Sequence, residues 1–175
     1  MNAGHWKRLL LALVLVGTVG CDRLTKHVAM TLADQPGESF LGDTVRLQYA
    51  ENAGGFLGLG AALPPAARTV IFAVGPAIML IVLGAVAIRS RWTGTALVGA
   101  TLLAAGGASN WIDRVLHGSV VDFMNVGVGS LRTGIFNVAD VAVTLGVVML
   151  VTTITRQTKA ERLEGWKDDS DSPGR

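Results

Sequence analysis

Charge and cysteine are what this chain has least of. Only 16% of its 175 residues are charged, and the single cysteine is Cys21. One cysteine excludes an internal disulfide framework and a cysteine-built metal site. A formal net charge of +2 is too small to mark a nucleic-acid binder, so no nucleic acid is expected as a partner. The sequence has no His-Glu-x-x-His run, no phosphate-binding loop and no dinucleotide glycine fingerprint. No metal and no cofactor are therefore expected. What remains is apolar: half the residues are hydrophobic and 22 are glycine. That balance fits a polytopic membrane protein, because soluble domains carry about 25% charge.

Four apolar segments organise the chain. The first follows His5-Trp6-Lys7-Arg8 and runs uncharged from Leu9 to Cys21. A secretory signal begins the same way, and Thr18-Val19-Gly20-Cys21 loosely resembles a lipoprotein cleavage box. Three more apolar segments follow, so we expect a retained first span from near Trp6 to about Lys26. The second runs over about 66–88 with Pro76 inside, where a kink is expected. The third covers about 93–114, and Ala96, Ala100, Ala104 and Ala108 offer a strip for close helix contact. The fourth covers about 138–155. Between the first two, Asp34-Gln35-Pro36-Gly37 reads as a turn and Thr44–Tyr49 alternates as a strand does. A small sheet is expected at about 35–55, and 161–175 as a disordered tail behind a single 1–160 domain. Lys7, Arg8, Arg89, Arg91, Arg156, Lys159 and Arg162 all fall on one side of four spans. The positive-inside rule makes that side cytoplasmic, with both termini. Asp122 and Asp140 then share the outer interface.

Those two acids are the first candidate site. Val120-Val121-Asp122-Phe123 and Phe136-Asn137-Val138-Ala139-Asp140 put carboxylates into apolar surroundings, where a charge must be paired or hydrated. Brought together, two carboxyls tend to share one proton. One then takes a proton from water while the other donates to a carbonyl, which is general acid–base hydrolysis. The plainer reading makes Asp140 a cap of the fourth helix and Asp122 a loop residue. Spacing does not decide whether the two meet across a hydrated pocket.

Other polar residues cluster near the same interface. Asn110 and Arg114 share a helix face, as Asn137 and Asp140 do if the helix starts early. The asparagines serve either a substrate backbone or interhelical bonding. Asp113 reads as an interfacial partner of Arg114. Asp22 and Lys26, four apart, pair with each other, and Asn52 sits in the Glu51–Gly55 turn. Gly107-Ala108-Ser109 resembles the glycine-flanked serine of rhomboid proteases, but no histidine lies within a span to serve it.

Five blocks in order resemble lipoprotein signal peptidase, the signal peptidase II family. They are Asp22-Arg23-Leu24-Thr25-Lys26, Glu51–Phe56, Ala105–Arg114, Val120–Phe123 and Phe136–Asp140. The resemblance implies an all-α inner-membrane aspartic endopeptidase with four transmembrane helices and a small periplasmic β-sheet, the β-cradle. It implies Asp122 and Asp140 as a catalytic dyad, with Asn52, Asn110, Arg114, Asn137, Asp22 and Lys26 lining or supporting the substrate site. The substrate would be a prolipoprotein carrying diacylglycerol on its lipobox cysteine, cut on the N-terminal side of that cysteine. Membrane lipid is the other expected partner, and the chain is expected to act as a monomer. Three departures stand out. The turn Asn52-Ala53-Gly54-Gly55-Phe56 is one small residue short, Ser109 replaces a frequent glycine, and no tryptophan precedes Phe136. Two rival classes remain: a small transporter or channel subunit that relays protons through its acids, and a lipid-binding assembly protein without catalysis.

Overall fold

The computed structural model describes residues 3–55, 60, 62–89, 92 and 94–170. Each apolar segment forms a helix, because in a chain this short of charge intrachain bonds alone satisfy the backbone. These are α1 (Ala3–Met30), α2 (Pro65–Thr69) leading to α3 (Gly75–Arg89), α4 (Gly94–His117) and α5 (Val138–Ser170). Among the described residues, Pro65–Ala87 and Val138–Ala160 are apolar enough to cross a membrane. Helices α1 and α4 are of similar length but carry buried polar residues, Asp22 and Lys26 in one and Ser109, Asn110 and Asp113 in the other.

Pro76 acts upstream of itself. Residues Val70–Val74, between α2 and α3, form a π-helical turn. Proline has no N–H for the carbonyl one turn back, so the preceding turn widens instead of the helix breaking. The Trp111 indole of α4 donates to the Ala73 carbonyl at 2.7 Å and pins that turn.

The predicted strand is real and belongs to a larger sheet. Strands β1 (Glu38–Phe40), β2 (Val45–Asn52), β3 (Val120–Val128) and β4 (Leu131–Arg132) form one antiparallel sheet in that order. A mostly helical chain with a small antiparallel sheet agrees with the expectation, but the 35–55 limit needs correction, since half the sheet comes from beyond α4. Val120–Val128 does not alternate because it is buried on both faces around Asp122. Pairing of Ala50 with Asp122 and of Asn52 with Val120 carries the glycine-rich turn to the acid.

Helices α4 and α5 make the closest contact. A side chain at Gly106 would fall onto the Ala139 carbonyl, and one at Gly146 would stand 2.6 Å from the Gly99 carbonyl. The expected alanine strip is thus only half right: Ala96 and Ala100 are buried, and the contact then passes to Ala105, Gly106 and Ser109. A four-residue repeat drifts around a helix of 3.6 residues per turn. Polarity is inverted relative to a soluble protein. Leu13, Val16, Ile78, Ile81, Val148 and Val151 face outward while nine polar or charged residues are buried among the described residues. Cys21 is also exposed, not packed inside.

Helix α5 corrects the tail. It continues through Ser170 where disorder was expected from 161, because Lys159-Ala160-Glu161-Arg162-Leu163-Glu164 are strong helix formers. Residues 171–175 lie outside the described part, as do Phe56, Ser90 and Arg91 of the predicted motifs.

Candidate active site

The second acid is placed by the start of α5. Asn137 caps that helix: its Oδ1 accepts from the Asp140 N–H at 2.9 Å, while its own N–H donates to Asp140 Oδ2 at 3.3 Å. This reciprocal capping box orients the Asp140 carboxyl. The plain reading of Asp140 as a cap is therefore correct, and it leaves Oδ1 turned inward. Asn110 of α4 donates to that oxygen at 2.8 Å.

Asp122 enters from the sheet. Its Oδ1 accepts from Asn137 Nδ2 at 2.6 Å and its Oδ2 from Asn52 Nδ2 at 2.8 Å. Asn52 holds the glycine-rich turn as well, accepting from the Gly54 N–H and donating to the Gly55 carbonyl, each at 2.9 Å. Asn137 thus touches both acids, and Asn110 accepts from Asn137 while donating to Asp140. Residues 52, 110, 122, 137 and 140 form one connected cluster drawn from a strand end, a helix, a second strand and a helix cap.

The cluster is closed. Asp122 is 1% exposed and Asp140 8%, so the expected hydrated gap between them is filled by amides. Burial pushes the Asp122 carboxyl up to about 6, and the Asp140 charge adds to this, against the opposing amides of Asn52 and Asn137 and the Lys26 charge.

Asp22 and Lys26 form a second cluster directly behind. Lys26 Nζ lies 2.7 Å from Asp22 Oδ2, 2.7 Å from Asp113 Oδ2 and 2.8 Å from Asn110 Oδ1. Asp22 Oδ1 accepts the Ala139 N–H at 2.9 Å, tying α1 to the first turn of α5. Its Oδ2 accepts from Ser109 at 2.7 Å, so the serine standing where glycine is frequent completes this shell. Neither residue touches the acid pair directly. They position Asn110 and α5 instead. Asp113, read above as a partner of Arg114, pairs with Lys26 and Arg23. Arg114 donates to the Gly54 carbonyl at 2.8 Å and to the Asn110 carbonyl at 3.1 Å, bracing the turn over the site.

Arg23 and Ser109 were missed as members of this shell. Arg23 lies three residues before Lys26 on one helix face, a spacing that pointed to it. Nothing in the sequence shows that Asp113 faces away from Arg114.

The four buried acids therefore fall into two kinds. Asp22 and Asp113 are met by cations, whereas among the described residues no lysine or arginine bonds Asp122 or Asp140, only amides. No group of three or more metal-ligating side chains occurs among the described residues.

The fold that carries this carboxylate pair is a helical scaffold capped by a sheet. Two solved bacterial membrane enzyme structures share it. One superposes with TM-score 0.75 at 28% identity over 85% of this chain and 89% of that one; the other gives 0.70 at 28% over 83% and 92%. Residues 6–156 match the family model described as signal peptidase (SPase) II, and the chain belongs to that peptidase family. It is 33% identical to the lipoprotein signal peptidase of Pelodictyon phaeoclathratiforme across 92% of this chain and 98% of the relative. The corresponding protein of Chlorobium phaeobacteroides is 32% identical across 84% and 88%.

Proposed function

We propose that this chain is an aspartic endopeptidase of the bacterial inner membrane. It removes the signal peptide from diacylglyceryl-modified prolipoproteins by cutting on the N-terminal side of the lipidated cysteine. The observation that carries the reading is the sorting of buried acids: among the described residues only Asp122 and Asp140 lack a bonded cation and are held by neutral amides. A carboxyl in that setting can keep a proton, as general acid–base hydrolysis requires.

Asp122 is the proton holder, since its carboxyl is raised to about 6 and the charge on Asp140 adds to that. Asp140 is the ionised partner. Water attacks the scissile carbonyl carbon, Asp140 takes its proton, and Asp122 gives its own to the carbonyl oxygen. When the tetrahedral adduct collapses, a proton reaches the leaving nitrogen, the C–N bond breaks, and one proton again remains on the pair. Asn110, Asn137 and Asn52 fix both carboxyls, and Arg114 holds the Gly54–Gly55 turn that the substrate must lift.

The four helical segments are read as four spans with both termini cytoplasmic. The sheet and acid pair then lie on the periplasmic face, where a diacylated cysteine holds its scissile bond at bilayer-surface depth. A proton relay in a transporter fits less well, because the acid pair is joined to Lys26 through the Asn110 amide, which does not titrate.

The test is purified protein given a diacylated lipobox peptide and the same peptide without lipid, with products mapped by mass spectrometry. The lipidated peptide should be cut before its cysteine and the plain one poorly. Equal rates for both would remove the lipid-anchoring argument.

A further inference from the structure

One recess beside the acid cluster has a polar wall rich in cations. A cavity of about 240 Å³ opens between the first turns of the α2–α3 helix and the end of α4. Arg68 and Arg114 face it, with Pro65, Phe72 and Ala73 as apolar lining. Neither member of the acid pair lines it, and no carboxylate does among the described residues. Residues 53–67, which lead into this helix, contain no acid at all. Among the described residues neither arginine forms an ion pair. Arg114 meets only the carbonyls of Gly54 and Asn110. The Thr69 hydroxyl also at the recess is turned back onto the Pro65 carbonyl, and Arg114 is engaged by the Gly54 and Asn110 carbonyls, so among the described residues the Arg68 guanidinium remains its donor.

Two guanidiniums sharing a partly apolar recess repel one another, and an anion between them offsets that repulsion. The Arg68 fork matches the oxygens of a phosphate, while Arg114, its own fork closed on the Gly54 carbonyl, adds charge. Depth selects the source. Arg68 lies in the first turn of the apolar stretch Pro65–Ala87, at the level where lipid headgroups sit. The Phe72 side of the recess is suited to the glycerol and upper acyl carbons.

We propose that this recess binds the phosphodiester of a membrane phospholipid, with Arg68 as principal ligand and Arg114 as flanking charge. The bound lipid would brace the α2 end of the active-site rim. The proposal rests on α2–α3 lying in a bilayer, not on the chemistry of the acids.

The experiment uses the full chain in a phosphate-free maltoside detergent. Thermal-shift isotherms are recorded with monomeric dihexanoyl phosphatidylglycerol, with inorganic phosphate and with dihexanoylglycerol. The phospholipid should stabilise saturably, phosphate more weakly and the phosphate-free lipid not at all. Arg68→Gln should raise the apparent Kd for the phospholipid about tenfold, the loss of one charge-assisted contact. Arg89→Gln, at the far end of the same helix, should leave it unchanged. Should Arg68→Gln fold poorly, Arg68→Lys keeps the charge without the fork and should give an intermediate Kd. An unchanged Kd in the Arg68 variants, or equal binding of dihexanoylglycerol, overturns the site. Inorganic phosphate binding as tightly as the lipid overturns the lipid assignment. Asp140→Asn should bind the phospholipid normally, so failure here and failure of the peptidase reading are separate results.

Discussion

At the scale of single residues, the site depends on which partner each buried acid has. Asp122 and Asp140 meet amides, so the pair can hold a proton; Asp22 and Asp113 each meet the Lys26 ammonium. The raised Asp122 carboxyl sets the pH behaviour. Below about 6 it keeps its proton and the pair is competent; above that the pair loses it, so kcat/KM of the free enzyme should fall tenfold per pH unit. Replacing Asp140 by Asn removes a like charge, so the Asp122 titration, followed by infrared carboxyl bands, should move to lower pH. A midpoint that stays put would mean the two acids are not coupled. Asp22 predicts a different outcome. Asp22→Ala strips Lys26 of a partner and uncaps the Ala139 N–H, costing about 3–5 kcal/mol in an unfolding assay. Identities and spacing made the acids visible as candidates. What they could not show was the pairing, because Asp113 facing Lys26 and not Arg114 depends on how α1 crosses α4.

Elements explain how the acids are brought within reach of one amide. Helix α4 supplies Asn110, the cap of α5 supplies Asn137 and Asp140, and strand β3 brings Asp122 beneath the turn held by Asn52. The closeness of α4 to α5 requires glycine at 106, where an added Cβ would meet the Ala139 carbonyl one residue before Asp140. Gly106→Ala should therefore push the helix start away and lower kcat about 10- to 100-fold, with KM little changed. Helix existence could be read from long apolar runs, within a few residues at each end except for the polar C-terminal extension of α5 through Ser170. The third strand could not, because a strand buried on both faces lacks the alternation that marked β2. The π-helical turn was foreshadowed only as a kink at Pro76.

For the whole molecule, the polar interior and apolar exterior put the charged network between helices and the greasy faces outside. The ends of α1 and α4, the starts of α2 and α5 and the whole sheet converge at one end, which the four-span reading places outside the cytoplasm. Cysteines introduced at Leu41 and at Arg162, in a Cys21→Ser background, test it: a membrane-impermeant reagent on intact cells should label the first and spare the second. The orientation is an expectation from the pattern of basic residues, since charge asymmetry is a property of sequence alone.

The central claim is that Asp122 and Asp140 work as one unit, and the direct measurement is single-turnover cleavage of a diacylated precursor by Asp122→Asn, Asp140→Asn and the double variant. Each single change should lower the rate by at least about a thousandfold with the fold intact, and the double change should lower it no further. A single variant that cleaves at the normal rate, or losses that simply multiply in the double, would contradict it.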